Sequence, residues 1–286
     1  MGECSDMILE DSFEKRFEAL KNKKPIKEKK EILFRKDEGY NQKIYALYDA
    51  EHYEEAYTKL IDLAKMGDGL SASYLGDMYL EGNYVEQDYN QALFWYLKGE
   101  ELGYMDDLNQ IGYMYENGQG CERDINKALE YYEKAVEQGN GVAANDLGNL
   151  YYDGNGVERD YTKALMWYLK GEELGRTDGL VRIGYMYENG QGCEQDINKA
   201  LEYYEKAAKQ GDGVAANNLG ILYYYGGNGV ERDYTKALMW YLKGEELGRT
   251  DGLVQIGYMY ENGQGCEINI IKANEYYKKA STYRLG

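Results

Sequence analysis

The sequence predicts an all-α chain: a right-handed α/α solenoid of helix-loop-helix repeats. Three observations predict it. The chain repeats itself in phase about every 36 residues. Each unit carries apolar residues at helical spacing on both sides of a glycine-rich break. No alternating apolar–polar run of useful strand length occurs anywhere. A pair of short helices cannot bury its own apolar stripe, so stacking on neighbouring pairs must complete the core.

The period shows first as a duplication. Residues 160–194 recur as residues 233–267 with one change in 35, Arg182 against Gln255. A weaker copy lies one unit earlier. The three Trp fall at 95, 167 and 240 and three of the Cys at 121, 193 and 266, each series stepping by 72 and then 73. The extra residue is visible where Tyr225-Gly226-Gly227-Asn228-Gly229 stands for Asp153-Gly154-Asn155-Gly156. The step divides again. Leu75-Gly76, Ile111-Gly112, Leu147-Gly148, Ile183-Gly184, Leu219-Gly220 and Ile256-Gly257, each with a Tyr three residues on, lie 36 or 37 residues apart. The unit is therefore about 36 residues in two alternating flavours.

Taken in order, residues 1–39 read as an N-terminal helical segment. Residues 1–40 hold ten Lys/Arg and ten Asp/Glu, so the net charge of −18 belongs to the rest of the chain. The Lys-rich stretch from Lys21 to Lys30 reads as a solvated helix broken at Pro25. A basic contact arm is the alternative, and its interspersed Glu speak against it. Residues 40–68 read as a hairpin that caps the array, its tight turn (Glu51-His52-Tyr53-Glu54-Glu55-Ala56) needing no glycine loop. Six full units follow at 69–104, 105–140, 141–176, 177–212, 213–249 and 250–286. In the third, Ala144, Leu147, Gly148 and Tyr151 share one helical face. Gly154-Asn155-Gly156 then breaks the helix, and Asp160 suits the N-cap of the next. Ala164, Leu165, Tyr168 and Leu169 form the second stripe, and Gly175 stands where a C-terminal cap belongs.

The run Ala144-x-x-Leu147-Gly148-x-x-Tyr151, then Gly154-x-Gly156-Val157, then Asp160-x-x-Lys163-Ala164-x-x-Trp167 resembles the Sel-1-like repeat. That family is related to the tetratricopeptide repeat and has a longer glycine loop. The resemblance covers residues 69–286, and residues 40–68 are similar to a plain tetratricopeptide-like hairpin. The departures are Tyr84 for the loop's second Gly, Asn269 for the capping Asp and Arg284 for a terminal Gly. The resemblance implies adaptor and scaffold roles in signalling and in bacterium–host interaction. Some bacterial members are immunity proteins that neutralise toxins, and Helicobacter-type members carry a disulfide pair in each repeat that this chain lacks.

Composition narrows the chemistry. With 33 Lys+Arg against 51 Asp+Glu, the chain repels phosphate backbones, so no nucleic-acid partner is expected. A single histidine, His52, excludes multi-histidine metal sites and argues against His-based acid/base catalysis. No apolar run of membrane-spanning length exists, so no membrane partner is expected. The start, Met1-Gly2-Glu3-Cys4-Ser5-Asp6, resembles neither a secretory signal nor a myristoylation site. Four cysteines make no disulfide framework, and a cytoplasmic location follows from that reading.

Candidate chemical sites read as structural ones. Cys121, Cys193 and Cys266 fill a slot that Val85, Val157 and Val230 fill in the other flavour, so they read as packing. Trp95, Trp167 and Trp240 alternate with Tyr131, Tyr203 and Tyr276 at fixed phase, which again reads as packing between repeats. The glycine loops lack a following Gly-Lys-Ser/Thr and carry Glu122, Glu158, Glu194, Glu231 or Glu267 instead, so they do not cradle phosphate. Asp106-Asp107 lacks an EF-hand spacing. No nucleophile has a recognisable base beside it. No catalytic residue, cofactor, metal or small-molecule substrate is therefore assigned, and the chain is read as a non-enzyme.

What remains is a surface. In tetratricopeptide-like stacks the first helices line the concave face, and the resemblance carries that placement over. The outward positions on it are Asn109, Gln110, Tyr113, Glu116 and Asn117; Asn145, Asp146, Asn149, Tyr152 and Asp153; Val181, Arg182, Tyr185, Glu188 and Asn189; Asn217, Asn218, Ile221 and Tyr224; and Gln255, Tyr258, Glu261 and Asn262. Tyr offers rigid contact area and Asn adaptable hydrogen bonds, for example to the backbone amides of an extended peptide. A merely solvated helix face is the bland reading. The leading function is a protein–protein interaction module that binds a protein or peptide in this groove, with a basic partner favoured by the charge. An immunity protein sequestering a basic toxin or effector is the alternative, and a designed or consensus-like array is a further one.

Overall fold

A computed structural model describes residues 38–227 and 229–283. The predicted N-terminal segment (all but its last two residues), its Lys-rich stretch, Asn228 and Arg284 lie outside the described residues. The described residues form fourteen helices and no strand; a lone bridge joins Gly227 to Val230. The chain divides into two compact units, residues 1–104 and 105–286.

The first unit holds α1 (Glu38–Asp49), α2 (Tyr53–Lys65), α3 (Gly69–Glu81) and α4 (Tyr89–Glu101). Ile44, Leu60, Leu75 and Met78 form its core, and Trp95 joins them from α4. The glycine loop after α3 has Tyr84 at its second glycine position. The turn still demands a left-handed backbone, so Tyr84 sits at φ +67°, a conformation costly for a residue with a Cβ. Its ring packs near that of Tyr57, with centroids 5.6 Å apart. This departure from the repeat pattern therefore carries strain.

The second unit holds five hairpins: α5 (Leu108–Asn117) with α6 (Ile125–Glu137), α7 (Gly141–Asp153) with α8 (Tyr161–Glu173), α9 (Leu180–Asn189) with α10 (Ile197–Lys209), α11 (Gly213–Tyr225) with α12 (Tyr234–Glu246), and α13 (Leu253–Asn262) with α14 (Ile270–Tyr283). Each second helix packs on the first helix of its own hairpin and, except for the final α14, of the next. Its start is fixed by a side-chain cap. Asp160 accepts from the Lys163 amide at 3.0 Å, Asp233 from Lys236 at 2.9 Å, and Asn269 caps α14 equally well, accepting from Lys272 at 3.0 Å. Each such cap stabilises its helix by about 1 kcal/mol.

Two uses of glycine hold the unit together. Within a hairpin, Gly148 lets the Tyr168 ring lie directly on the α7 backbone; a Cβ there would stand 2.6 Å from the ring. Gly112, Gly184, Gly220 and Gly257 receive Tyr132, Tyr204, Tyr241 and Tyr277 in the same way. Between hairpins, the second glycine of each of the last four loops roofs the start of the preceding second helix. Gly192, at φ +73°, sits so close that a Cβ would be 2.3 Å from the Tyr161 carbonyl oxygen, and Gly265 repeats this over Tyr234. In the other flavour the roof lies over a side chain: Gly156 over Ile125 and Gly229 over Ile197. Outside this packing the second helices are laced by a ladder. Glu172 of α8 accepts from the Tyr203 hydroxyl at 3.1 Å and pairs with Lys206 of α10, and Glu245, Tyr276 and Lys279 repeat the arrangement.

Candidate partner-binding face

The first helices of the second unit turn one side to the core and the other outward. The inward side is set by Ile111, Leu147, Ile183, Leu219 and Ile256 with the glycine that follows each; all five are fully buried. The outward side divides by flavour.

In the second, fourth and sixth repeats, Tyr113, Tyr185 and Tyr258 stand 45, 40 and 43 % exposed at the same phase. No side-chain hydrogen bond within the described residues holds their hydroxyls. The carboxylates one turn on are engaged. Glu116, Glu188 and Glu261 each accept a 2.7 Å hydrogen bond from the hydroxyl of Tyr132, Tyr204 or Tyr277. Burial first, and then these carboxylates, push the Tyr132 and Tyr204 hydroxyls far above the ordinary phenol range and Tyr277 to about 12. Asn117, Asn189 and Asn262 turn back on their own helices, donating to the carbonyls of Tyr113, Tyr185 and Tyr258 at 2.8 to 2.9 Å. Each of these asparagines thus spends one amide N–H on closing its own helix end.

In the third repeat two outward side chains are engaged by the fold. Asn149 accepts from the Tyr168 hydroxyl at 2.7 Å. The Tyr152 ring carries the Arg182 guanidinium at 4.5 Å, and its hydroxyl donates to Gln191 at 3.2 Å. Asp146 is half-buried; burial lifts its carboxyl to about 6, opposed by a hydrogen bond from Asn109. Asn145 departs from the expectation of an outward position. It is buried, 8 % exposed, with no hydrogen-bond partner for its amide among the described residues. The reason is close approach: its oxygen lies where a Cβ on Gly171 would stand, 2.3 Å away, and 3.0 Å from one on Gly179, so two glycines close over it. Its twin Asn217 is only half-buried.

Of the remaining predicted positions, Gln110, Asn218, Tyr224 and Gln255 are half-buried and Asp153 is exposed. Sequence reasoning missed Tyr225, 63 % exposed at the end of α11. Its signal was the loop itself, where Tyr225 replaces Asp153 of the twin.

Elsewhere, Cys121, Cys193 and Cys266 are free and half-buried, and burial raises their thiols. Among the described residues no group of three or more His, Cys, Asp or Glu is placed to hold a metal, and no helix is long and apolar enough to cross a membrane. A cleft of 730 Å³ is lined by Val136, Met166, Trp167 and Leu174, and a smaller one of 230 Å³ by Tyr260, Tyr276 and Lys279. Both are open and shallow, and Lys279 is held protonated by its hydrogen-bonded pair with Glu245.

The Sel1 repeat model matches residues 69–104, 107–140, 141–175, 177–212, 213–248 and 250–282. The crystal structure of c5321, described as a protective antigen present in uropathogenic Escherichia coli strains and displaying an SLR fold, aligns at 31 % identity and a TM-score of 0.73. The alignment covers 79 % of this chain and 48 % of c5321, so the chain spans about half the length of that protein. A Sel1 repeat protein from Oxalobacter formigenes aligns at 30 % identity and a TM-score of 0.67, over 85 % of this chain and 99 % of its own. The immunity protein Pa5087 from Pseudomonas aeruginosa aligns at 20 % identity and a TM-score of 0.41, too low to carry a function across. No curated protein matches the chain.

Proposed function

The chain belongs to the Sel1 repeat family, and on that premise we propose that it is a non-enzymatic adaptor whose first-helix face grips an extended protein segment. Sel1 repeat proteins are generally protein-interaction modules. The observation that carries the finer reading is the row of Tyr113, Tyr185 and Tyr258. Three large rings recur at one phase, 40 to 45 % exposed, while the polar groups beside them are tied into the fold. Exposed tyrosine on a rigid scaffold supplies contact area at little entropic cost. The net charge of −18 favours a basic partner and fast, salt-sensitive association. The same charge supports sequestration of a basic toxin as the tight-binding version of this function. The free cysteines fit a reducing, cytoplasmic setting.

The test is cross-linked capture from source-cell lysate with the intact chain and with Tyr113→Ala/Tyr185→Ala/Tyr258→Ala. The triple variant should lose the captured partner while keeping its helical circular dichroism. Unchanged capture by a folded variant would move the site off this face. One dominant basic protein released by salt would favour sequestration, and several proteins sharing a short segment would favour the adaptor.

A further inference from the structure

The unit holds nearly the same aromatic site twice, once filled and once open. In the third repeat the Tyr152 ring is flanked by the Tyr161 ring at 5.2 Å and carries the Arg182 guanidinium at 4.5 Å. In the fifth, Tyr224 is flanked by Tyr234 at 5.3 Å, so the aromatic floor is the same. The flanking cations are also the same, with Arg159 over Tyr161 at 5.9 Å and Arg232 over Tyr234 at 5.8 Å. One group is exchanged: Gln255 stands where Arg182 stands. Gln255 is neutral and brings no charge to the ring. The surroundings change in the same direction. Tyr225, 63 % exposed, replaces Asp153 and stands edge-on to Tyr224 at 4.9 Å; Ile221, 39 % exposed, replaces Asn149. Tyr258, 43 % exposed, is the next ring along the face.

Elsewhere in this chain such rings carry the chain's own cations. Lys163, Lys199, Lys236 and Lys272 lie 4.8 to 5.0 Å over Tyr151, Tyr187, Tyr223 and Tyr260. Tyr224 has the ring and the neighbours of Tyr152 without its guanidinium. A guanidinium over a tyrosine face gains both quadrupole attraction and flat stacking, and more when partly desolvated by flanking rings.

We propose that Tyr224, Tyr225 and Tyr258 form a cage for an arginine side chain of the partner, which takes the place Arg182 fills in the twin site. The proposal rests on the first-helix face being the binding face, and it names what that face reads at the fifth and sixth repeats. The acidic chain supplies the complementary long-range field. Arg182 itself shows that a guanidinium fits this floor.

The experiment uses the full chain with ¹³C-labelled tyrosine rings and two probes, capped Gly-Arg-Gly and capped Gly-Gln-Gly. Ring signals of Tyr224, Tyr225 and Tyr258, assigned through single Tyr→Phe variants, should move with the arginine probe and stay fixed with the glutamine probe. Gln255→Arg fills the cage from within and should weaken the arginine response about fivefold or more. Arg182→Gln should open a second responding site at Tyr152. Both exchanges install the twin's own residue, and thermal melting checks that each variant is folded. Equal movement of Tyr113 and Tyr185, or a response that Gln255→Arg leaves unchanged, would reduce the effect to general attraction by the acidic surface and overturn the cage. Partner capture lost in the Tyr113/Tyr185/Tyr258 variant but kept at full strength in Gln255→Arg would leave the binding face standing and remove the cage alone.

Discussion

The third and fifth repeats share their second helix residue for residue, over residues 161–173 and 234–246. They also share the buried half of their first helix. Ala143, Ala144, Leu147, Gly148 and Leu150 of α7 correspond to Ala215, Ala216, Leu219, Gly220 and Leu222 of α11, and every one is buried. The two first helices differ at three of 13 positions: Asp146 against Asn218, Asn149 against Ile221, and Asp153 against Tyr225. None of the three belongs to the buried set. Packing at near-crystalline density fixes one half of the helix and leaves the other half free to change. The change has a direction, because each exchange in the fifth repeat removes a carboxylate or replaces an amide with an apolar side chain. The third repeat has Asn149 and Tyr152 engaged by other side chains of the fold, and the fifth turns aromatic and apolar surface outward.

The largest test of that contrast is Gly148→Ala beside Gly220→Ala. The new Cβ would stand 2.6 Å from the Tyr168 ring and 2.7 Å from the Tyr241 ring. Tyr168 is tethered by Asn149, whereas Ile221 gives Tyr241 no acceptor at that position. Gly148→Ala should cost about 2–4 kcal/mol in urea unfolding and Gly220→Ala about 1 kcal/mol less. Equal losses would mean that the tether does not hold the ring.

Next in size is Asp146→Asn, which installs the twin's residue. Burial raises the Asp146 carboxyl from 3.8 to about 6, so the folded chain binds this proton more tightly than the unfolded chain. Its unfavourable contribution is therefore absent at pH below the unfolded value, grows as pH rises and is complete above the folded value. Asp146→Asn should stabilise the chain by about 1–2 kcal/mol at neutral pH, an amount discounted for partial exposure. The gain should vanish near pH 4, and melting curves across pH would show it. A gain independent of pH would assign the effect to something other than the proton.

Asn149→Ile should cost about 1 kcal/mol by removing the acceptor of the Tyr168 hydroxyl, and Ile221→Asn should recover a similar amount at Tyr241. Melting temperatures moving in opposite directions would bear this out; two losses would show that the fifth repeat has repacked around its isoleucine. Smallest of all, Lys206→Met and Lys279→Met each break one exposed rung of the ladder. Each should cost under about 0.5 kcal/mol, equally at both places and less at high salt.

The helices, their caps and their buried stripes were legible because each rests on a local rule repeated in phase. Asp160 caps the helix it was expected to cap, and Gly175 follows α8 at φ +85°. The face was legible only in part. Tyr113, Tyr185 and Tyr258 are exposed as spacing predicts, but spacing does not tell which carboxylate a buried tyrosine finds. In one flavour the acceptor follows the helix glycine directly, as Asn149 does; in the other it lies a turn later, as Glu188 does. Asn145 was misread because its burial comes from Gly171 and Gly179, residues of a later helix and loop whose closeness no local pattern reveals.

The alternating roofs set the step by which such an array lengthens. Gly192 and Gly265 rest on the bare backbone of a tyrosine, while Gly156 and Gly229 rest on the side chain of an isoleucine. A single repeat gained by recombination would seat a loop of one kind on a floor of the other. Two repeats gained together restore both joints. The array therefore lengthens most readily two repeats at a time, and the near-identical segments 160–194 and 233–267, 73 residues apart, keep that step.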